Sequence, residues 1–174
     1  RVGDEAEFEG HMLEVTLGPG MLSRNYDGLQ NDLDKMEGVF LRRGEYTFPL
    51  DNDKLWDFKP LAKVGDKVAA GGWLGEVDEN FQPHKIMVPF TFKGEYTVKS
   101  LKEAGQYTIG EVIAVLTDET GKDVEVTMIQ RWPVKRAITC YKEKPRPYKL
   151  LETGVRTIDT VNPIVEGGTG FIPG

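Results

Sequence analysis

A basic segment near residue 140 contains the residue types that bind nucleic acid. The stretch RWPVKRAITCYKEKPRPYK interleaves cationic side chains with aromatic rings, the pattern of a surface that contacts phosphates and stacks on bases. Its cations are Arg131, Lys135, Arg136, Lys142, Lys144, Arg146 and Lys149, beside Trp132 and Tyr141. Three prolines in the segment and a formal net charge of −6 for the chain favour an extended, solvated connector. We therefore predict a connector and no nucleic acid partner.

The histidines, the cysteine and the acidic clusters lack the spacing of a metal site or a nucleophile. His11 and His84, the two histidines, are far apart and have no cysteine ligand near them, so we expect no zinc site. The acidic triplets at 51–53 and 78–80 lack the twelve-residue EF-hand spacing, and we predict that they form turns. Cys140 has no neighbouring histidine to activate it, and one cysteine excludes an internal disulfide, which favours a reducing compartment.

Lys85 has the sequence context closest to a modification site. It follows a KVGD…GG…L pattern that resembles biotinyl and lipoyl carrier domains, in which a lysine at a hairpin tip carries the cofactor. The flanking residues differ, because a biotin site resembles Met-Lys-Met and a lipoyl site Asp-Lys-Ala, whereas His84 and Ile86 flank this lysine. A carrier domain modified at Lys85 is therefore the alternative to a β domain with the same turn residues.

The pattern of apolar residues predicts mainly β-strands. Residues 12–17 form a strand-like run before a Gly-Pro-Gly turn. An apolar run at 112–116 and an alternating run at 124–128 flank the turn DETGKD, which predicts a hairpin with one strand almost fully buried. Arg1 opens a polar stretch unlike a signal peptide, and no apolar run approaches the roughly 20 residues of a transmembrane helix.

One short helix is expected between Asp27 and Met36. Leu29, Leu33 and Met36 have the spacing i, i+4, i+7, which predicts an amphipathic helix that ends at Gly38.

The region between Trp56 and Trp132 contains enough large apolar residues for a core of its own. We expect this core to contain Trp56, Phe58, Leu61, Val64, Val68, Trp73, Leu74, Val77, Met87, Val88, Val112, Ile113, Val115, Val126 and Met128.

Five segments, in their order along the chain, resemble the catalytic A subunit of the V/A-type rotary ATPases. They are TLGPGMLSRNYDGLQ, FKPLAKVGDKVAAGGWLGEV, HKIMVP, QRWPVKR and PRPYKLLETGVRTIDTVNPIVEGGTGFIPG. HKIMVP and QRWPV are similar to a large insertion that the F-type subunits and the V-type B subunits lack. The last segment is also similar to F-type beta subunits. One departure is LQNDL at 29–33, where the family usually has Ile-Gln-Arg-Pro-Leu.

This resemblance implies a fold class and a division into domains. The fold is expected to be mainly β, with a protruding β-barrel or barrel-sandwich-like domain, a short helix, an extended connector and the edge of a nucleotide-binding α/β domain. Residues 1–25 correspond to the end of an N-terminal β-barrel, residues 26–132 to the insertion specific to the A subunit, and residues 133–174 to the connector and the start of the nucleotide-binding domain.

The resemblance also implies one nucleotide-contacting residue. In the family, Ile-Pro-Gly continues into a phosphate-binding loop of the form G-x-x-x-x-G-K-T, so Gly174 corresponds to its first glycine. The loop lysine and the carboxylates that hold magnesium are expected beyond Gly174. We therefore expect no catalytic residue, no metal ligand and no bound cofactor in these 174 residues, although the parent subunit would use ATP or ADP with Mg²⁺.

The parent subunit is expected to be an enzyme of a rotary motor. By resemblance it couples ATP hydrolysis or synthesis to proton or sodium transport across a membrane. The same resemblance implies that it alternates with B subunits in a ring, surrounds a central rotor stalk and contacts a peripheral stalk. It is expected on the cytoplasmic side of the membrane, without inserting into it.

Overall fold

The computed structural model describes residues 3, 5, 7, 8, 10–36, 38, 40, 44–141, 143, 144 and 146–171. Gly174, the expected nucleotide-contacting glycine, lies outside the described residues. The chain consists of two compact units, Arg1–Cys140 and Tyr141–Gly174. The domain boundaries expected at 25/26 and 132/133 stay predictions.

Strands make up most of the regular structure, which confirms the mainly β prediction. Within the described residues the strands are β1 Glu14–Leu17, β2 Trp56–Pro60, β3 Lys67–Ala69, β4 Trp73–Glu79, β5 Gln82–Met87, β6 Glu95–Leu101, β7 Gly105–Tyr107, β8 Ala114–Thr117, β9 Asp123–Val126 and β10 Gln130–Pro133. The helical elements are a 3₁₀-helix, Leu33–Lys35, and an α-helix, α1 Arg156–Val161. No helix in the described part of the chain is long and apolar enough to cross a membrane.

The strands pair into two four-stranded sheets and one two-stranded ribbon. The sheet orders are β5-β4-β2-β7 and β3-β6-β8-β9, and all the pairings are antiparallel. In the ribbon, β1 pairs with β10, so that Leu17 lies opposite Gln130. The chain between these two residues therefore leaves the ribbon and returns to it at the same point, as an insertion does.

Two apolar clusters form the core of the first unit. One contains Leu50, Trp56, Phe58, Val77, Ile86, Ile109, Ile113 and Met128. The other contains Leu74, Val88, Val98, Ala114, Leu116 and Val126. Three residues expected in the core are exposed: Leu61, Val64 and Trp73 have 44%, 66% and 57% of their surface accessible. For Val64 the reason is local, because it lies just before the turn at Gly65, whose φ is +92°.

The predicted hairpin between residues 112 and 128 is confirmed. Strands β8 and β9 pair antiparallel, with Thr117 opposite Asp123. The Asp118 carboxylate organises the turn by accepting hydrogen bonds from the hydroxyl and the N–H of Thr120 and from the N–H of Lys122. These bonds lower the pKa of the Asp118 carboxyl, and the bond from the Thr120 hydroxyl has the largest effect. The β8 strand is buried or half-buried along its length, whereas in β9 exposed residues alternate with half-buried or buried ones.

The helix predicted from Asp27 to Met36 is wrong, since only Leu33–Lys35 is helical, as a 3₁₀ turn. The Asp27 carboxylate accepts hydrogen bonds from the backbone N–H groups of Leu29 and Asn31, both at 2.8 Å. Such side-chain bonds compete with helical backbone bonds, and Gln30 adopts a φ of +63°. The spacing of the apolar residues is misleading here, because Leu29 is 57% exposed.

The second unit is a short helix held against its own flanking chain. Leu150 forms a β-bridge with Val165, and the Lys149 ammonium pairs with the Glu166 carboxylate at 2.9 Å. The Asp159 carboxylate of α1 accepts bonds from the Thr153 hydroxyl and backbone N–H and from the N–H of Gly154.

Candidate functional site

Lys85 lies in the middle of β5 and not at a hairpin tip. The β4–β5 turn consists of Asn80 and Phe81, whose φ angles of +52° and +65° are those of a two-residue hairpin turn. Lys85 lies opposite Glu76 in β4 and forms an ion pair with its carboxylate. Its ammonium also lies 5.0 Å from the centre of the Trp73 ring. This position is unlike that of a carrier lysine, so the carrier alternative is not supported.

The ion pair with Glu76 and the contact with the Trp73 ring give Lys85 a structural role. The hydrogen bond from Lys85 lowers the pKa of the Glu76 carboxyl. The exposed Trp73 ring borders the same ammonium, which accounts for a large apolar residue on the surface of β4.

A lysine held in this way is expected to stay unmodified. We predict that the purified protein keeps its unmodified mass when it is co-expressed with biotin and lipoate ligases, because Lys85 is paired and lies in mid-strand. Intact-protein mass spectrometry of the wild type and of Lys85→Ala is the measurement. A mass increment that matches biotin or lipoate and disappears in Lys85→Ala would contradict the prediction.

Glu79, the last residue of β4, is a buried carboxylate that is only 2% exposed. Its Oε1 accepts hydrogen bonds from the N–H groups of Gly20, at 2.7 Å, and Leu22, at 2.9 Å. Its Oε2 lies 2.7 Å from Nδ1 of His84 in β5. The carboxylate therefore joins the turn after β1 to the β4–β5 hairpin.

The sequence interpretation of the triplet 78–80 was partly wrong. Asn80 is a turn residue, as predicted, but Glu79 is a buried strand residue. No local signal marks it, because its partners Gly20 and Leu22 are 59 and 57 residues away in the chain. Since internal donors occupy both carboxylate oxygens, Glu79 is suited to positioning the chain and not to proton transfer or metal binding.

The remaining candidate residues do not come together in a site. His11 bonds the carbonyl of Met12, next to it in the chain, and His84 bonds Glu79. Across the described residues, no three His, Cys, Asp or Glu side chains are grouped so that they could hold a metal ion. Cys140 is half-buried and has a free thiol. Its backbone carbonyl oxygen lies close to Gly71. A Cβ atom at Gly71 would lie 2.7 Å from that oxygen, so this contact requires glycine.

The basic segment is divided by the structure. Trp132 lies in β10, where its indole N–H donates to the carbonyl of Arg136 at 2.7 Å and its ring packs edge-on against Phe90. This ring is therefore used for internal packing. Tyr141 and the cations after it belong to the second unit, and Lys142 lies outside the described residues.

Comparison with known proteins identifies the family. The family described as the ATP synthase alpha/beta subunit barrel-sandwich domain matches residues 47–135, which include β2 to β10. The V-type ATP synthase alpha chain of Treponema denticola is 47% identical over 100% of this chain. The corresponding chain of Borrelia garinii is 47% identical over 99%, and alpha chain 1 of Treponema pallidum is 46% identical over 99%.

The matched part is a minor share of each relative. This chain spans 30% of the T. denticola and T. pallidum proteins and 31% of the B. garinii protein. The family match contains HKIMVP and QRWPV, two of the segments that carried the resemblance in the sequence. The mainly β fold agrees with a barrel-sandwich domain, although the strands of the described residues pair as open sheets and not as a closed barrel. The chain therefore belongs to the ATP synthase alpha/beta subunit barrel-sandwich domain family.

Proposed function

We propose that this chain is part of the catalytic alpha chain, or A subunit, of a V-type ATP synthase. The observation that carries the proposal is the identity of 46–47% over 99–100% of the chain to proteins named V-type ATP synthase alpha chain. The whole subunit would couple ATP hydrolysis or synthesis to proton or sodium transport. It would alternate with B subunits in a ring around a central rotor stalk, on the cytoplasmic side of the membrane.

The first unit contributes an insertion with its own core to that subunit. Because β1 pairs with β10, both ends of the intervening chain are fixed at one ribbon, and the two apolar clusters give that chain a core of its own. A domain that is attached at one point and has its own core is suited to presenting a surface to another subunit. We propose that it contacts the peripheral stalk.

The residues of this chain do not themselves fit an ATP and magnesium site. The sequence contains no G-x-x-x-x-G-K-[ST] motif, and the described residues contain no acidic cluster that could hold a metal ion. Gly174 as the first glycine of a phosphate-binding loop is a proposal that rests on the resemblance of the last segment. ATP, ADP and Mg²⁺ are accordingly proposed to bind elsewhere in the whole subunit.

Nucleotide titration tests the proposal. We expect the 174-residue chain to show no saturable binding of Mg-ATP at low millimolar concentration and no hydrolysis above buffer. The reason is that one glycine N–H contributes about 0.5–1.5 kcal/mol, whereas millimolar binding needs about 4 kcal/mol. Isothermal titration calorimetry of this chain and of the full-length subunit is the measurement.

The full-length subunit is the control, since it is expected to bind Mg-ATP and, with B subunits, to hydrolyse it. A full-length subunit that fails to bind nucleotide contradicts the proposed function. Micromolar binding by the 174-residue chain would instead show a nucleotide site within it.

A further inference from the structure

A polar cavity of about 180 Å³ lies within the first unit, beside the buried Glu79. The turn after β1, the 3₁₀-helix, the loop before β2 and the β4–β5 turn all line it, together with Trp56. The residues that matter here are Gly20, Arg24, Asp32, Lys35, Lys54 and Trp56. None of them takes part in the proposed nucleotide site.

The indole of Trp56 supplies a buried donor without an acceptor. Trp56 is 4% exposed, and its Nε1 is a buried atom with no hydrogen-bond partner. The ring carbon Cζ2, on the same edge as Nε1, lies 3.4 Å from the position of a Cβ atom built on Gly20, which also lines the cavity. The ring edge that carries Nε1 therefore lies beside Gly20, in the wall of the cavity. Because an unpaired buried donor costs about 1–3 kcal/mol, an acceptor in the cavity would be strongly favoured.

The three cationic side chains that line the same cavity make only long polar contacts. The Lys54 ammonium lies 3.9 Å from the centre of the Trp56 ring. The Arg24 guanidinium and the Lys35 ammonium each lie 3.7 Å from Oδ2 of Asp32, too far for a hydrogen bond. The Arg24 guanidinium also lies 3.9 Å from Oδ2 of Asp34. Lys35 reaches the Leu50 carbonyl at 3.4 Å.

The carboxylates of the cavity, in contrast, already accept bonds from backbone N–H groups. Oε1 of Glu79 accepts two such bonds. Oδ1 of Asp32 accepts the N–H of Asp34, and Oδ1 of Asp51 accepts that of Asp53. These carboxylate oxygens are therefore engaged with backbone donors, whereas the N–H of the Trp56 indole has no acceptor.

We propose that this cavity binds a small oxyanion, with Trp56 Nε1–H as the directional donor and Lys54 and Arg24 as the charged donors. The three cations in the lining are matched by three carboxylates, those of Asp32, Asp51 and Glu79. This balance favours an anion of low charge, either inorganic phosphate or a carboxylate, over the polyphosphate of a nucleotide.

Titration followed on the indole N–H signals tests this inference. The three tryptophans give three such signals in a ¹H–¹⁵N spectrum of the 174-residue chain, and that of Trp56 is assigned by its nuclear Overhauser contact to Gly20. We expect phosphate or acetate, added at constant ionic strength with chloride as the balance, to shift the Trp56 signal in a saturable way. The Trp132 signal should stay constant because its N–H already donates to Arg136.

Variants that each remove one positive charge distinguish binding in the cavity from general electrostatic screening. Lys54→Gln should weaken binding roughly tenfold, equivalent to about 1.4 kcal/mol, and Arg24→Gln should weaken it as well. Lys93→Gln removes an exposed charge that does not line the cavity and should leave binding unchanged. Tighter binding of phosphate than of acetate would identify phosphate as the ligand, and the reverse order a carboxylate.

Two results would overturn the inference. One is a Trp56 signal that responds to neither anion, which would indicate a water molecule as the partner of the indole. The other is a response that Lys54→Gln and Arg24→Gln leave unchanged. Both are independent of nucleotide binding by the full-length subunit.

Discussion

Replacing Glu79 with alanine is expected to lower the free energy of unfolding of the first unit by about 3 kcal/mol or more. The change removes a carboxylate that is 2% exposed and leaves its partners, the N–H groups of Gly20 and Leu22 and the ring of His84, without an acceptor. A buried donor left unpaired costs about 1–3 kcal/mol, and these three donors, whose bonds are part-buried, are counted near the lower end of that range. The effect is large because one side chain satisfies three donors.

Urea denaturation followed by tryptophan fluorescence measures this loss, since Trp56, Trp73 and Trp132 all lie in the first unit. Glu79→Gln should have an intermediate effect, because its amide oxygen can still accept the two backbone bonds. Glu125→Ala, at an exposed position of β9, is the control and should change stability by no more than about 0.5 kcal/mol. A loss below about 1 kcal/mol in Glu79→Ala would contradict the role of this carboxylate as a buried anchor.

The features predicted correctly from the sequence are those that a few neighbouring residues determine. The β8–β9 hairpin follows from two apolar runs and the turn between them, and Asp118 closes that turn within five residues. The family resemblance also rests on short segments such as HKIMVP, which the family match contains. Local patterns and segments of this kind can be recognised in the sequence without knowledge of the fold.

The features that sequence reasoning missed depend on residues far apart in the chain. The Asp27 to Met36 region has helical apolar spacing, yet the Gln30 side chain bonds the backbone of Thr16 in β1. Both bonds to Thr16 span 14 residues. The cavity at Trp56 likewise combines elements from residue 20 to residue 80. The division of the apolar residues into two clusters also follows from the sheet order, which the sequence does not reveal.

Gly75 is the second position at which a small change should have a large effect. It lies in β4 against the Phe58 ring, and a Cβ atom there would lie 2.2 Å from Cε2 and 2.4 Å from Cζ of that ring. It would also lie 2.8 Å from the Lys59 carbonyl oxygen. Phe58 is 1% exposed and packs in the first apolar cluster, so it has little room to move. Glycine is required at this position to leave room for the ring.

Gly75→Ala is therefore expected to destabilise the first unit by about 3 kcal/mol, near the upper end of the usual cost of overpacking a core. Urea denaturation is again the measurement. Gly110→Ala is the matched control, because a Cβ atom there meets nothing within 4 Å and the backbone is outside the left-handed region. It should leave stability unchanged or raise it by about 0.4–1 kcal/mol.

A double-mutant cycle identifies the cause of the loss. Phe58→Leu alone removes ring atoms from the core and should destabilise, but it also vacates the space that the added methyl group of Gly75→Ala needs. The double variant should therefore be more stable than the sum of the two single losses predicts, by about 1 kcal/mol or more. Strict additivity would mean that the strain of Gly75→Ala arises at the Lys59 carbonyl, and a loss below about 1 kcal/mol in Gly75→Ala would show that β4 and β2 can separate to accept the methyl group.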